Sequence, residues 1–196
     1  MRKIHLTLWA ATLAAVTTIL FHATQQGEIG YWKAHRLFSS TAYAAAADEY
    51  EKSLERQPGR LDVLKELARS YQWSKNYPKA IETYRQVLAA DPEDLDSKTR
   101  LAETLGWSGQ YAESIALYRE VVAKKNDTAA KLALSEVLLW NKDYAAAESS
   151  TRDVLKVEPT NPQARYLLGK ILQASGRPQE ATVLFEELLK EQSLKK

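Results

Sequence analysis

One pattern returns five times along this chain of 196 residues, at intervals of 34, 34, 33 and 34. Its plainest column holds small residues: Ala46, Ala80, Ser114, Ala147 and Ala181. Three residues earlier stand Tyr43, Tyr77, Tyr111 and Tyr144, with Pro178 in the fifth copy. Four residues later come Tyr50, Tyr84, Tyr118, Thr151 and Phe185. A unit of this size is one supersecondary element, which cannot bury its apolar face alone, so successive copies must stack.

The second copy shows what the unit is. Leu64, Leu67, Ala68 and Tyr71 recur at helical spacing, a polar break follows at Ser74-Lys75-Asn76, and a second helical run carries Ala80, Ile81, Tyr84, Val87 and Leu88. Pro78 falls in the first turn of that run, where its missing N–H would be unpaired in any case. Each unit is therefore predicted to be a helical hairpin, with units near 27–60, 61–94, 95–127, 128–161 and 162–194. A second small column, Ala34, Ala68, Ala102, Ser135 and Gly169, lies in the first helix of each hairpin. Two helices approach closely only where a side chain leaves room, so the two small columns are expected to face each other, with the aromatic one turn later filling the space beside them.

These residues resemble the tetratricopeptide repeat family. In Leu101-Ala102-x-x-Leu105-Gly106-Trp107-x-Gly109-x-Tyr111-x-x-Ser114-x-x-x-Tyr118 the small residues, the Gly-x-Tyr turn and the aromatic fall at that family's positions. The resemblance covers about 27–194 and is strongest from 61 to 161. It weakens in the first unit, where Ser39-Ser40-Thr41 replaces the glycine-bearing turn, and in the fifth, which has Pro178. It implies an all-α fold, a right-handed α-solenoid of about five hairpins that holds proteins along a groove lined by the first helices.

Ahead of the repeats, Arg2 and Lys3 precede Ile4 to Ala23, a stretch without formal charge at neutral pH. As a helix it would span roughly 30 Å, the thickness of a bilayer's hydrocarbon core. The small residues a secretory peptidase needs are missing after it: Ala42-Tyr43-Ala44 fits, but lies inside the first repeat. The expectation is a single-pass anchor over residues 4–23 in the inner membrane, with positive charge inside and the repeats in the periplasm. The alternative is a signal segment, residues 1–26, whose cleavage releases the repeats into the periplasm.

Composition excludes several classes of function. Of 27 Lys and Arg, only Arg2 and Lys3 precede residue 27, and the remainder carries 25 charges of each sign, so the excess of positive charge that a nucleic-acid binder needs is missing. Without cysteine there is neither a disulfide framework nor a thiolate metal site. His5, His22 and His35 do not form a ligand cluster, and no glycine-rich phosphate loop or nucleophile elbow is present. The reading is of a non-enzyme with no catalytic residue, no cofactor and no metal.

The family geometry puts the following residues on the groove: Lys65, Arg69 and Trp73; Thr99, Glu103 and Trp107; Leu132, Glu136 and Trp140; then Tyr166 and Lys170, with Tyr31 and His35 at the start of the row. Spacing of i, i+4, i+8 keeps each trio on one helix face. Lys65 and Arg69 sit where chaperone-binding relatives clamp a terminal carboxylate, although Glu103 and Glu136 break that clamp and suit a basic segment. The tryptophan column offers broad, low-entropy contact area for a peptide or a glycan, or else packs between hairpins. The Trp-Ser-Gly-x-Tyr style of repeat is similar to periplasmic segments of bacterial exopolysaccharide export proteins, and the anchor-plus-repeats plan resembles subunits of cytochrome c maturation machinery. The sequence thus predicts a tethered adaptor that binds other envelope subunits. A permanent structural subunit, using its convex face or the uncovered Val183, Leu184, Leu188 and Leu189, and a glycan-binding module are the alternatives.

Overall fold

The computed structural model describes residues 2–193 of the chain, with side chains described over 12–191. Among these, all regular structure is helical. The ten helices are α1 (Arg2–Ser39), α2 (Tyr43–Arg56), α3 (Leu61–Trp73), α4 (Tyr77–Ala90), α5 (Leu95–Trp107), α6 (Tyr111–Lys125), α7 (Thr128–Trp140), α8 (Tyr144–Val157), α9 (Pro162–Ala174) and α10 (Pro178–Ser193). They pair as successive hairpins, and the chain divides into two compact units, Met1–Pro92 and Glu93–Lys196. The predicted all-α class is the class found.

The two small columns do meet. Ala34, Ala68, Ala102 and Ser135 are fully buried in the first helices, as are Ala46, Ala80, Ser114 and Ala147 in the second. At Gly169 the aromatic itself fills the place of a side chain: a Cβ there would lie 2.5 Å from the Phe185 ring, so only glycine admits this ring. Tyr50, Tyr84, Tyr118 and Thr151 are buried one turn beyond the marker column, where open space beside small residues would otherwise forfeit dispersion contacts.

Every hairpin turns in the same way. Thr41, Lys75, Gly109, Lys142 and Gly176 occupy one column, and all five have left-handed φ, between 62° and 84°. The following residue then donates its N–H back across the helix end: Ala42 to Leu37, Asn76 to Tyr71, Gln110 to Leu105, Asp143 to Leu138 and Arg177 to Leu172, at 2.8–2.9 Å. This is a Schellman closure, which satisfies carbonyls the helix leaves open. The first unit, which lacks the glycine of the family's turn, folds into it nonetheless. Four helices also begin on a side-chain cap, Asp94, Asp127, Asp143 and Asn161 accepting from the backbone N–H of Asp96, Ala130, Ala146 and Ala164.

The N-terminal expectation needs correction. Among the described residues no helix is long and apolar enough to cross a membrane. The stretch 4–23 begins in residues 4–11, which lie outside those with described side chains. Over the described part, threonines dilute the apolar run, and Thr17 and Thr18 turn their hydroxyls back to the Ala14 carbonyl at 2.9 and 2.8 Å. The helix does not stop where the uncharged stretch ends. It continues into the first hairpin, where Gly27 and Gly30 are buried, the Ser53 hydroxyl donates to the Gly27 carbonyl at 2.8 Å, and Gln57 Nε2 donates to Thr24 at 2.8 Å.

Candidate protein-binding surface

In the first unit the expected surface residues come from α1 and α3. Arg69 Nη1 donates to Glu66 Oε1 at 2.8 Å, and its guanidinium lies 5.2 Å from the centre of the Phe38 ring. Tyr31 packs tilted on Tyr50, with ring centres 5.9 Å apart, and the Arg60 guanidinium lies 5.4 Å from the centre of the Tyr31 ring. Lys65 is half-buried on α3 beside this cluster, and His35 is exposed on α1. Two polar atoms here stand out. Tyr50 Oη and Arg69 Nε are the buried side-chain polar atoms, among the described residues, with no hydrogen-bond partner. Burial pushes the Tyr50 hydroxyl far above its ordinary range, reinforced by Glu66 and Tyr31 and opposed by Arg69. Buried polar groups are ordinarily satisfied, and one left open costs about 1–3 kcal/mol, so this spot favours any group that brings it partners.

In the second unit Thr99 and Glu103 on α5 line a cavity of about 240 Å³ with Tyr118, Val121, Ala130 and Ala133. Thr99 is turned inward, its hydroxyl donating to Leu95 at 2.6 Å. Burial raises the Tyr118 hydroxyl, and the carboxylates of Glu103 and Glu136 raise it further. Lys170 Nζ stands 3.8 Å from Glu136 Oε1 and 5.9 Å from the centre of the Tyr166 ring. Leu132 is buried in the core of the hairpin joint, and Tyr166 is exposed.

Two of the tryptophans, Trp73 and Trp140, lie against the hairpin that precedes them. Trp73 stacks on Tyr43, with centres 6.0 Å apart and planes 29° from parallel. Trp140 lies 6.5 Å from Tyr111, and its ring edge closes over Gly106, where an added Cβ would approach to 3.3 Å. Trp107 is 37% exposed and Trp73 47%. The sequence showed both the tryptophan and the tyrosine columns and offered packing between hairpins as one reading, but it did not pair them, because a ring partner one repeat away has no local signature.

Among the described residues no group of three or more His, Asp or Glu side chains is placed to hold a metal ion. Tyr50 Oη and Arg69 Nε were not legible in advance, since an unmet hydrogen bond depends on all the groups folded around it.

No curated protein matches this chain. Solved structures do: MamA 41-end from Desulfovibrio magneticus RS-1 superimposes with a TM-score of 0.77 at 15% identity, over 86% of this chain and 96% of that one. A Podosopora anserina putative kinesin light chain with nearly identical tetratricopeptide-like repeats gives a TM-score of 0.77 at 23% identity, over 89% and 97%. A tetratricopeptide repeat protein from Parabacteroides merdae gives 0.76 at 15%, over 86% and 68%. At these identities the likeness is one of fold. The family's own pattern, tetratricopeptide repeat, matches residues 37–102, 74–137 and 138–193. The chain therefore belongs to the tetratricopeptide repeat family.

Proposed function

We propose that this protein is an adaptor that holds an extended segment of a partner protein against the first-helix faces of its hairpins, in the assembly of a cell-envelope complex. The observation that carries the reading is the pair of unmet polar atoms, Tyr50 Oη and Arg69 Nε, buried beside Tyr31 and Glu66. A peptide backbone offers carbonyls and N–H groups at short intervals; Tyr50 is fully buried and Arg69 only partly, so Arg69 is the member of the pair that a bound segment meets first. In the second unit Glu103 and Glu136 suit a partner segment carrying Lys or Arg. Trp73 and Trp140 each lie against a tyrosine, which leaves less ring surface for sugar stacking, so a protein partner is better supported than a glycan.

The envelope setting rests on the charge pair Arg2-Lys3 before an uncharged stretch, and on α1 itself. Leu13, Val16, Ile19, Leu20 and Phe21 are all exposed there, more apolar surface than a helix in water keeps free of partners.

The test is selection of a displayed library of unstructured peptides on the full chain, followed by binding of the recovered peptides to Tyr50→Phe and Arg69→Ala. Tyr50→Phe removes the open hydroxyl without removing the ring, so the fold should hold while affinity falls. Recovery of peptides that bind both variants as tightly as the original would refute this surface.

A further inference from the structure

The five hairpins share one register, so the two end faces can be read against the joints inside the chain. On α1, Ile29 occupies the column of Val63, Ala130 and Ala164, which are buried where α3, α7 and α9 pack on the hairpin before them. Ile29 is 60% exposed. Trp32, 61% exposed, occupies the column of Glu66, Ala133 and Leu167, all at least partly buried. Lys33 and Arg36 take the positions of Leu67 and Ser70 on α3, Leu134 and Val137 on α7, and Leu168 and Ile171 on α9, again all buried. The leading face of the first hairpin is thus an apolar pair beside Arg36 and Lys33, the latter paired with Glu49 of α2 at 3.0 Å.

The trailing face of the last hairpin is its counterpart. Leu189 is 65% exposed, whereas Leu54, Leu88, Val122 and Leu155 in its column are half-buried. Pro162, Tyr166, Phe185, Leu188 and Leu189 line an open cavity of about 350 Å³. The acids of α10 are largely paired within the hairpin: Arg165 of α9 bonds Glu187 and Glu191 at 2.8 and 2.5 Å, and Arg177 bonds Glu180 at 2.7 Å. An internal joint shows which columns meet. In the α6–α7 joint, Thr99, Tyr118 and Val121 share a cavity with Ala130 and Ala133. Tyr166, Phe185 and Leu188 are the same columns as that first trio, and Ile29 and Trp32 are the columns of the two alanines. In the internal joint small residues leave about 240 Å³ between the helices. At the ends the wider apolar opening has an isoleucine and a tryptophan as its counterpart.

We propose that a second copy of this chain is the occupant of the trailing face, its Ile29 and Trp32 entering the Tyr166–Phe185–Leu189 cavity as the same columns meet at the internal joint. Copies then add head to tail through a heterologous contact, which leaves one face of each kind open for further addition.

The experiment uses the full chain in mild detergent, with sedimentation velocity over a range of concentrations and circular dichroism to confirm folding. Both Trp32→Glu and Leu189→Glu change exposed side chains. The wild-type chain should grow in mass with concentration, and each variant alone should remain a monomer. An equimolar mixture should stop at a dimer of one copy of each, because Trp32→Glu keeps a sound trailing face and Leu189→Glu a sound leading one. A wild-type chain that stays monomeric throughout overturns the proposal, as does a mixture that fails to double the monomer mass. Association that persists in either variant alone assigns self-contact to another surface, such as the apolar flank from Leu13 to Phe21, and also overturns it.

Discussion

The Ser114 hydroxyl donates to the Ala102 carbonyl across the α5–α6 hairpin at 2.6 Å, joining the two small columns in one bond. Neither residue has room for anything larger, since both are fully buried. Ala102→Leu should overpack this contact and lower stability by about 1–3 kcal/mol, and Ala80→Leu should do the same in the preceding hairpin. Ser114→Ala keeps the shape and loses only the hydroxyl's bond, so it should cost about 0.5–1.5 kcal/mol. Urea denaturation of the three variants checks the order. If both leucine variants unfold at the wild-type midpoint, the helices are not in this register.

The left-handed turn column makes an opposite prediction. Thr41, Lys75 and Lys142 hold positive φ with a Cβ in place, and Thr41 is β-branched, which is the least comfortable side chain for that conformation. Glycine stands in the same column at Gly109 and Gly176. Thr41→Gly and Lys142→Gly should therefore stabilise the protein, each by about 0.5–1 kcal/mol, and Gly109→Ala should destabilise it by a similar amount. Melting temperatures that fall on both glycine substitutions would mean that the side chains at Thr41 and Lys142 contribute more than their strain.

These turns show what the sequence disclosed and what it withheld. The hairpins were legible because helical periodicity and the small columns are local patterns repeated in step, and each copy corroborates the others. The first unit reads as degraded at Ser39-Ser40-Thr41, yet its chain reverses as in the other four, with the Ala42 N–H returning to Leu37 at 2.9 Å. Two packed helices define the turn between them more strongly than its own residues do. The surface was less legible. Periodicity places Leu132 on the same helix face as Glu136, but burial depends on the neighbouring hairpin, and Leu132 lies in the core. The long α1 was misjudged for a related reason: an uncharged stretch can be counted from sequence, whereas its continuation into the first hairpin rests on Gly27 and Gly30 fitting against α2.

Stacking of tryptophan on the preceding hairpin predicts a loss of stability when the ring is removed. Trp140 is half-buried between Tyr111 and the Gly106 backbone, and Trp73 lies on Tyr43. Trp140→Ala should cost up to about 3 kcal/mol, below the range for a fully buried ring, and Trp73→Ala less, because nearly half of its surface is exposed to solvent. Trp140→Phe should recover most of the loss. Calorimetry separates this joint role from recognition: unchanged melting with lost peptide binding would make the rings ligand contacts instead.

Helix capping gives the pH dependence a definite sign. Asp127 Oδ1 accepts from the Ala130 N–H at 2.7 Å, and its other oxygen pairs with Lys125 Nζ at 3.1 Å. The backbone N–H of Ala130 holds the Asp127 carboxyl below its ordinary value of 3.8, with Lys125 assisting and burial opposing. A carboxyl whose value is depressed by folding stabilises the folded state above the unfolded value, and that contribution disappears as pH falls through the folded one. Asp127→Ala should therefore cost about 0.5–2 kcal/mol at neutral pH, shrinking steadily as the solution is acidified below 3.8. Asparagine caps as well as aspartate but does not titrate, so Asp127→Asn should hold α7 equally at both ends of that range and flatten the acid limb of the stability curve. Chemical denaturation of the three proteins at neutral and acid pH decides it: an alanine penalty that is the same at both would show that the carboxylate's charge has no part in starting α7.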